Sequence, residues 1–506
     1  MNAKRIIYIV LASILVLVLV LGGTVAWYAT SGFRPPVTVA EPAYWPTNGW
    51  RVTTPEAAGY SSRVASDALL EMRQKGVAID SLMIVRNGYV ALDAYFAPYD
   101  GSFAHNLASV TKSVMTTLIG IAADQGKIDL DKPMVAYFPD RTIANLDERK
   151  ARITVRQLAS MVNGMESGCF QDDPGTLARM RSHPDWLQAA LDRPMVEEPG
   201  TKFCYDSPGM HILSGILQEA TGQTALEFGQ QYLFEPLGIH DAIWDVDPQG
   251  YNRGWGDLYL TPASAAKIGF LWLHKGNWDG KQIVSQEWVL GSVHPQIRPV
   301  DHDYAYGYGM WLNNSAYFAA GRGGQEIRVF PAWNTVMVIT GGGYEYSDIE
   351  GFVTPSLILS LIPRADNPQG QAALQDTLKT LREPVDYPAV TSTPQIAKEI
   401  TGKMYQCENN PAGLESMTLD FADPSAATLR QRVQGQDILW TIGLDGHHRI
   451  IADGDALVGY WEDEHIFHLE VFDVGTQVYR VQFEGTRAQV IIEGADLSIS
   501  CRTATP

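Results

Sequence analysis

Apolar and polar positions along this chain change period several times. Residues 6–27 form one uncharged run of 22 residues behind Lys4 and Arg5, long enough to cross a bilayer as a helix. Residues 81–95 (SLMIVRNGYVALDAY) hold two apolar runs broken by Asn87-Gly88, the pair that a two-residue hairpin turn selects. The long apolar segment 114–123 predicts a buried helix, and helical spacing recurs at 152–161, 208–220, 263–275 and 286–292. Strand patterns return at 317–320, 326–330 and 335–340, bounded by glycines.

Strands first, helices between and strands last predict an α+β fold. It is an α/β sandwich in which one antiparallel sheet has edges far apart in sequence and a helical region inserted between them. Residues 371–381 read as a short helix, and the run EPVDYPAVTSTP after it as a linker. From 395 onward, short alternating strands (417–421, 438–442, 465–472, 477–483, 488–492) and turns such as Leu444-Asp445-Gly446 predict a small all-β barrel or sandwich. The expected plan is an anchor at 1–28, an extended stalk at 29–50 and a large mixed domain at 51–365. A linker with a short helix (366–396) and a C-terminal β domain (397–506) follow.

Length supports this division, since 506 residues exceed one hydrophobic core. A net charge of -19 argues against a nucleic-acid partner, which would need a basic face, and chiefly confers solubility. The basic end of the apolar run places it inside and the remaining chain outside. Thr24-Val25-Ala26 is a poor cleavage site and Trp27-Tyr28 suit an interface, so an uncleaved single-pass anchor is expected, with a cleaved signal peptide as the alternative. That puts Cys169, Cys204, Cys407 and Cys501 in an oxidising compartment, where an even count suggests two disulfides. Cys407 with Cys501 is the natural pair within the C-terminal module, leaving Cys169 with Cys204; four buried thiols are the alternative. No Cys-x-x-Cys occurs, so no zinc site is expected.

Candidate chemistry centres on Ser109 and Lys112, in Asn106-Leu107-Ala108-Ser109-Val110-Thr111-Lys112-Ser113, where the apolar helix begins. Residues three apart share a helix face, so the Lys112 amine would reach the Ser109 hydroxyl. A serine hydroxyl needs a neighbouring base to become a nucleophile, and a lysine serves where burial or a positive field lowers its pKa. Spacing alone is weak, because Ser264-Ala265-Ala266-Lys267 repeats it and reads as ordinary helix surface. An acylating serine also needs a proton relay, an oxyanion hole and a strand to align substrate. In Pro199-Gly200-Thr201-Lys202-Phe203-Cys204-Tyr205-Asp206-Ser207-Pro208-Gly209, Tyr205 and Ser207 can point from an extended loop into one cleft. By themselves they fit better a packed tyrosine and a helix-capping serine.

With these motifs the chain resembles the class C β-lactamases, penicillin-binding-type peptidases and related serine esterases and amidases. Ser109-Val110-Thr111-Lys112 matches the first box of that family, and Tyr205-Asp206-Ser207 lies at its Tyr-x-Asn box, with Ser207 in place of asparagine. Further blocks agree in order: Ile153-Thr154-Val155-Arg156-Gln157-Leu158 with Asn163-Gly164-Met165, Gly254-Trp255-Gly256-Asp257-Leu258-Tyr259-Leu260-Thr261-Pro262, and Tyr306-Gly307-Tyr308-Gly309-Met310-Trp311. The resemblance spans roughly residues 55 to 365. Its third box departs: where the family carries Lys-Thr-Gly or His-x-Gly, this chain has Ala320-Gly321-Arg322-Gly323-Gly324-Gln325-Glu326.

What the resemblance implies is a β-lactamase/transpeptidase-like fold over 51–365 and catalysis by Ser109, Lys112 and Tyr205 without metal or organic cofactor. The second oxyanion amide would lie within Gly323, Gly324 and Gln325. Arg322 would replace the box's cation on a substrate carboxylate, although a strand-end arginine facing outward fits equally. The departures at Ser207 and Arg322 rank esterase or amidase above true β-lactamase, with D-alanyl peptidase as an alternative. A catalytically silent binding or sensing module on the same fold is a further alternative. The expected partners are a small-molecule or peptide-like ester or amide and, through the N-terminal helix, a bacterial inner (cell) membrane. The catalytic domain would then face the periplasmic or extracellular side.

Overall fold

The hairpin written at Asn87-Gly88 forms the start of the main sheet. Strands Ile79–Arg86 and Tyr89–Tyr95 pair across a turn in which both central residues take positive φ (52° and 82°), the geometry that favours Asn-Gly. The structure, a computed structural model, describes residues 39–167, 174–300, 302–343, 364–383, 390, 393–451, 454–494 and 497–503. Strand Ile79–Arg86 pairs antiparallel with Thr335–Gly341, more than two hundred residues later, and Gln325–Phe330 and Tyr317–Gly321 follow it outward. The short strands Trp311–Leu312 and Ala305–Tyr306 complete that side, and Arg51–Val52 adds a parallel edge to Tyr89–Tyr95. The expected antiparallel sheet with separated edges is thus present.

Alternation along these strands sorts their side chains onto two faces. Met83, Val85, Ile327, Val329, Val336 and Val338 join the core shared with the helical region, while Leu82, Ile84, Leu92, Met337 and Ile339 face an outer layer. That outer layer is the pair of helices Ser62–Gln74 and Pro368–Leu381. The second helix was expected within a linker. It packs instead, because Leu374, Thr377 and Leu381 fall on one face and are buried. On the other side, helix Val110–Asp124 is buried at every position from Val110 to Ala122, as the long, mainly apolar segment 114–123 predicts, and packs on helix Ser207–Thr221.

Several expectations differ from the structure for identifiable reasons. The helix expected over 152–161 is only Val155–Ala159, opened by a Thr154–Gln157 capping box and followed by Met161 at φ 56°. Residues 39–50 are no free stalk. Tyr44 donates its hydroxyl to the Gly88 carbonyl (2.7 Å), Trp50 donates Nε1 to the Ala263 carbonyl (2.9 Å), and Trp45 lies against Phe270, His274 and Trp278. Aromatic rings of this size hold the segment to the body by burying apolar area. Ser264 and Lys267 are not helix surface either, being 7% and 6% exposed in helix Pro262–Leu273. Ser264 Oγ donates to Asp241 (2.6 Å) and Lys267 Nζ donates to the Gly238 carbonyl (2.6 Å), so each is committed to a structural partner.

The C-terminal region is a closed barrel rather than a sandwich. Ten strands run in one ladder from Gln436–Gly443 to Arg449–Ile450, and a pairing of Gly443 with Val458 closes it. Helix Gln395–Ile400 plugs it with Ile396, Ala397 and Ile400. Cys407 and Cys501, opposite one another on paired strands, form the expected disulfide. Cys169 lies outside the described residues, and with it the expected bond to Cys204. The apolar run at 6–27 lies outside them as well; among the described residues no helix is long and apolar enough to cross a membrane.

Candidate active site

Ser109 stands at the junction of a short strand and the central buried helix. His105–Asn106 pairs with Leu258–Leu260, and Leu107 N–H donates to the Leu258 carbonyl (2.9 Å). Asn106 Oδ1 then accepts from the Ala108 N–H (2.8 Å), folding the chain sharply at Ala108, whose φ is 45°. A left-handed backbone at a non-glycine residue is held only where surrounding bonds over-determine it, and such strain concentrates at functional sites. The result leaves Ser109 partly accessible at the helix start, above a helix that is otherwise buried.

One turn on, Lys112 is 1% exposed and its stem is enclosed. Its Nζ donates to Ser109 Oγ (2.7 Å) and to the Trp255 carbonyl (2.9 Å), and lies 4.7 Å from the centre of the Tyr205 ring. Groups from two distant segments therefore meet: the expected serine and lysine at the start of one helix, and the expected tyrosine from a loop. Tyr205 is half-buried and stacked on Trp311, with ring centres 5.9 Å apart and planes 14° from parallel.

The loop carrying Tyr205 is fixed from beneath by its neighbour. Asp206 is 1% exposed and accepts from Arg193 at both oxygens (2.7 and 3.1 Å) and from Asn163 Nδ2 (2.7 Å). That carboxylate occupies the N-cap position of helix Ser207–Thr221, yet its oxygens serve Arg193 and Asn163 rather than the helix. Removing one partner of a buried pair strands the other charge, at a cost of about 3–5 kcal/mol. Ser207 is the first residue of that helix and is completely buried. Sequence reasoning quoted Asn163 in a family block but gave it no role, and did not find Arg193. No spacing rule links Arg193 to Asp206, since the connection runs through space.

The glycine turn also lies at the site, with its roles differently distributed than expected. Gly321, rather than Gly323, Gly324 or Gln325, makes the close approach to the nucleophile. A Cβ on Gly321 would stand 2.6 Å from the Leu107 carbonyl oxygen and 2.9 Å from the Ser109 nitrogen. Its φ of -134° suits any residue, so space alone demands glycine there. Arg322 is exposed at the turn, and Gly323 and Gly324 take φ of 79° and 92°. Gln325 turns its side chain into the sheet, where Oε1 accepts from the Gly341 N–H (3.2 Å). Gly321→Val should lower kcat/KM for an activated ester by about 100-fold or more, the scale of losing one oxyanion donor, while thermal unfolding and steady-state kinetics measured together separate this from loss of fold.

Arg181 is a further group that the sequence did not reveal. Its guanidinium lies over the Trp186 ring (5.7 Å), as does that of Arg253 (5.4 Å), and Trp186 contacts Trp255 at 5.8 Å, next to the Lys112 carbonyl partner. Although the residue is exposed to solvent, partial desolvation of its guanidinium, and then repulsion by Arg253 and Arg322, lowers the Arg181 pKa from its ordinary value. Arg253 is held by Asp245 and Asp257 (3.0 and 2.9 Å). Arg181, Arg253 and Arg322 thus lie near enough to one another for their charges to interact. Among the described residues no group of His, Cys, Asp and Glu is arranged to hold a metal ion.

Comparison with known proteins identifies the family. The Beta-lactamase family model matches residues 67–341, more than half of the chain. The chain is 26% identical over 232 residues to 6-aminohexanoate-dimer hydrolase of Paenarthrobacter ureafaciens, covering 44% of this chain and 58% of that protein. It is 27% identical over 156 residues to lovastatin esterase of Penicillium rubens, covering 27% of this chain and 38% of that one. The chain therefore spans less than two thirds of the length of these curated relatives. The octameric penicillin-binding protein homologue from Pyrococcus abyssi superposes with a TM-score of 0.48 at 17% identity, over 87% of this chain and 99% of that one. The matched span contains the Ser109–Lys112 pair, the Tyr205 loop and the Gly321 turn, and the chain belongs to the beta-lactamase family.

Proposed function

We propose that this protein is a membrane-anchored, exported serine hydrolase that cleaves an ester or amide through an acyl-Ser109 intermediate. The observation that carries the reading is the 2.7 Å contact between Lys112 Nζ and Ser109 Oγ at a partly accessible serine. Lys112, assisted by Tyr205, takes the Ser109 proton as Oγ attacks the carbonyl carbon. The oxyanion rests on the Ser109 amide and on an amide of the turn 321–325. Tyr205 or Lys112 returns the proton to the leaving group, and water then hydrolyses the acyl-serine. Arg322, with Arg181, receives a carboxylate on the substrate.

The names of the relatives favour an ester or a linear amide: one is a 6-aminohexanoate-dimer hydrolase and another an esterase. Burial of Ser207 at the position of the family's asparagine supports the same preference, because a side chain enclosed there is poorly placed to hold a lactam amide. The Cys407–Cys501 disulfide suits an oxidising compartment, and with the uncharged run at 6–27 it supports export and anchoring. Purified protein assayed with p-nitrophenyl butyrate, a short linear amide and a chromogenic cephalosporin should favour ester or amide by at least about 100-fold in kcat/KM. Faster cephalosporin turnover makes it a β-lactamase. No turnover of any of them makes it a silent module.

A further inference from the structure

The C-terminal barrel meets the catalytic body at the glycine turn beside Ser109. Strands Ile466–Phe472 and Thr476–Glu484 form a hairpin whose last pair is Phe472 with Thr476, so its tip is Asp473-Val474-Gly475. A Cβ on Gly323 would stand 2.0 Å from the Val474 carbonyl oxygen. The tip and the turn are therefore in backbone contact at a position where only glycine fits. Gly323 is tied in turn to the sheet end, its carbonyl accepting from the Gly343 N–H (3.1 Å). On the other side of the tip, Tyr99 donates its hydroxyl to the Phe472 carbonyl (3.2 Å). A second barrel loop makes an equally close approach: a Cβ on Gly454 would lie 2.1 Å from the Ala104 carbonyl oxygen, next to His105. Both barrel loops thus border segments that lead directly to Ser109, one through 104–108 and one through 321–324.

The tip also brings a charge. Burial raises the Asp473 carboxyl above the usual carboxylate value; His105, the Val474 N–H and Arg322 pull it back, and Asp257 pushes it up. With Val474 against Gly323, Asp473 lies within electrostatic range of His105, Asp257 and Arg322, the last being the arginine proposed for the substrate carboxylate. The carboxylate comes from the barrel hairpin, not from the catalytic body.

We infer that the barrel completes the active site: its tip, Asp473-Val474-Gly475, is the wall that holds the turn 321–324 in place, and Asp473 is a positioning residue that restrains Arg322 and sets the charge preference of the cleft. This rests on the proposed hydrolase reading. With Asp473 ionised, the Arg322 charge is partly answered from within the protein, which weakens the pull on an anionic substrate. Removing that charge frees Arg322 for a substrate carboxylate. Removing the tip leaves the turn, and the amide it presents, without its support.

Two full-length variants test this. In one, Asp473-Val474-Gly475 is replaced by Asn-Gly, which closes the Phe472–Thr476 pair as a two-residue turn and keeps the strand register. In the other, Asp473→Asn changes charge alone, with Asp473→Glu as the conservative control. Kinetics are compared on p-nitrophenyl butyrate and its anionic analogue p-nitrophenyl hemisuccinate, with fluorophosphonate labelling of Ser109 and thermal unfolding measured in parallel. The shortened tip should lower kcat on the neutral ester by about tenfold or more while unfolding is unchanged. Asp473→Asn should raise the anionic-to-neutral ratio of kcat/KM by about threefold or more, chiefly through KM, and Asp473→Glu should restore it. Values within twofold of wild type in both variants would overturn the inference and leave the barrel an appendage. Failure of the wild-type protein to label at Ser109 would instead overturn the hydrolase reading.

Discussion

Replacing Ser109 by alanine should lower hydrolysis of an activated ester by about 10⁴- to 10⁶-fold, the range seen when a nucleophile is removed from a cooperating set. The loss should fall on kcat. Ser109 touches the reacting carbon only during attack, whereas Arg322 and Arg181, the groups proposed to hold the substrate, are untouched. Little stability should be lost, because Ser109 is partly accessible and its side chain does not cap the helix that follows. Steady-state kinetics with thermal unfolding read both effects. A residual rate within tenfold of wild type would place the nucleophile elsewhere.

Lys112→Met should cost about 10³- to 10⁴-fold in kcat/KM, the upper part of the range for removing a general base. Methionine keeps much of the stem volume in a site only 1% exposed, so the change removes chiefly the nitrogen. Two acceptors then lose a donor, Ser109 Oγ and the Trp255 carbonyl. Leaving a buried carbonyl without its partner costs about 1–3 kcal/mol, so a fall of a few degrees in Tm is expected alongside the kinetic loss. Slow phosphonate labelling of Ser109 should persist in this variant, which separates a missing base from a collapsed site. Equal activity of wild type and Lys112→Met would remove lysine from the mechanism.

Local signals carried the parts of the structure that depend on neighbours in sequence. Asn87-Gly88 specifies a turn through the φ values its two residues accept, and the long, uncharged and mainly apolar segment 114–123 specifies a buried helix. The i, i+3 spacing of Ser109 and Lys112 needed only that helix to bring hydroxyl and amine together. The same spacing at Ser264 and Lys267 shows what local signals omit. There the hydroxyl is given to Asp241 and the ammonium to the Gly238 carbonyl, and both partners lie outside the motif.

What escaped the sequence depends on distance in space. Arg193 and Asn163 support the Tyr205 loop through Asp206, and neither connection has a periodicity to announce it. Gly321 lies two residues before the stretch 323–325 expected to supply the second oxyanion amide. Which member of a glycine-rich turn makes the closest approach is set by the strand register, Gly321 opposite Gln325, and not by composition. Residues 29–50 read as a stalk because they are rich in Pro, Thr and aromatics, yet Trp45 and Trp50 find aromatic and carbonyl partners more than two hundred residues away. The barrel tip against Gly323 joins positions about 150 residues apart and follows only from how two modules pack.

Covalent labelling of Ser109 tests the central claim most directly. Folded, full-length protein is treated with a fluorophosphonate, digested and mapped by mass spectrometry, with Ser109→Ala as control. The expected result is one stoichiometric adduct on the peptide containing Ser109, absent from the control. An unlabelled folded protein, or an adduct on another serine such as Ser264, would contradict it.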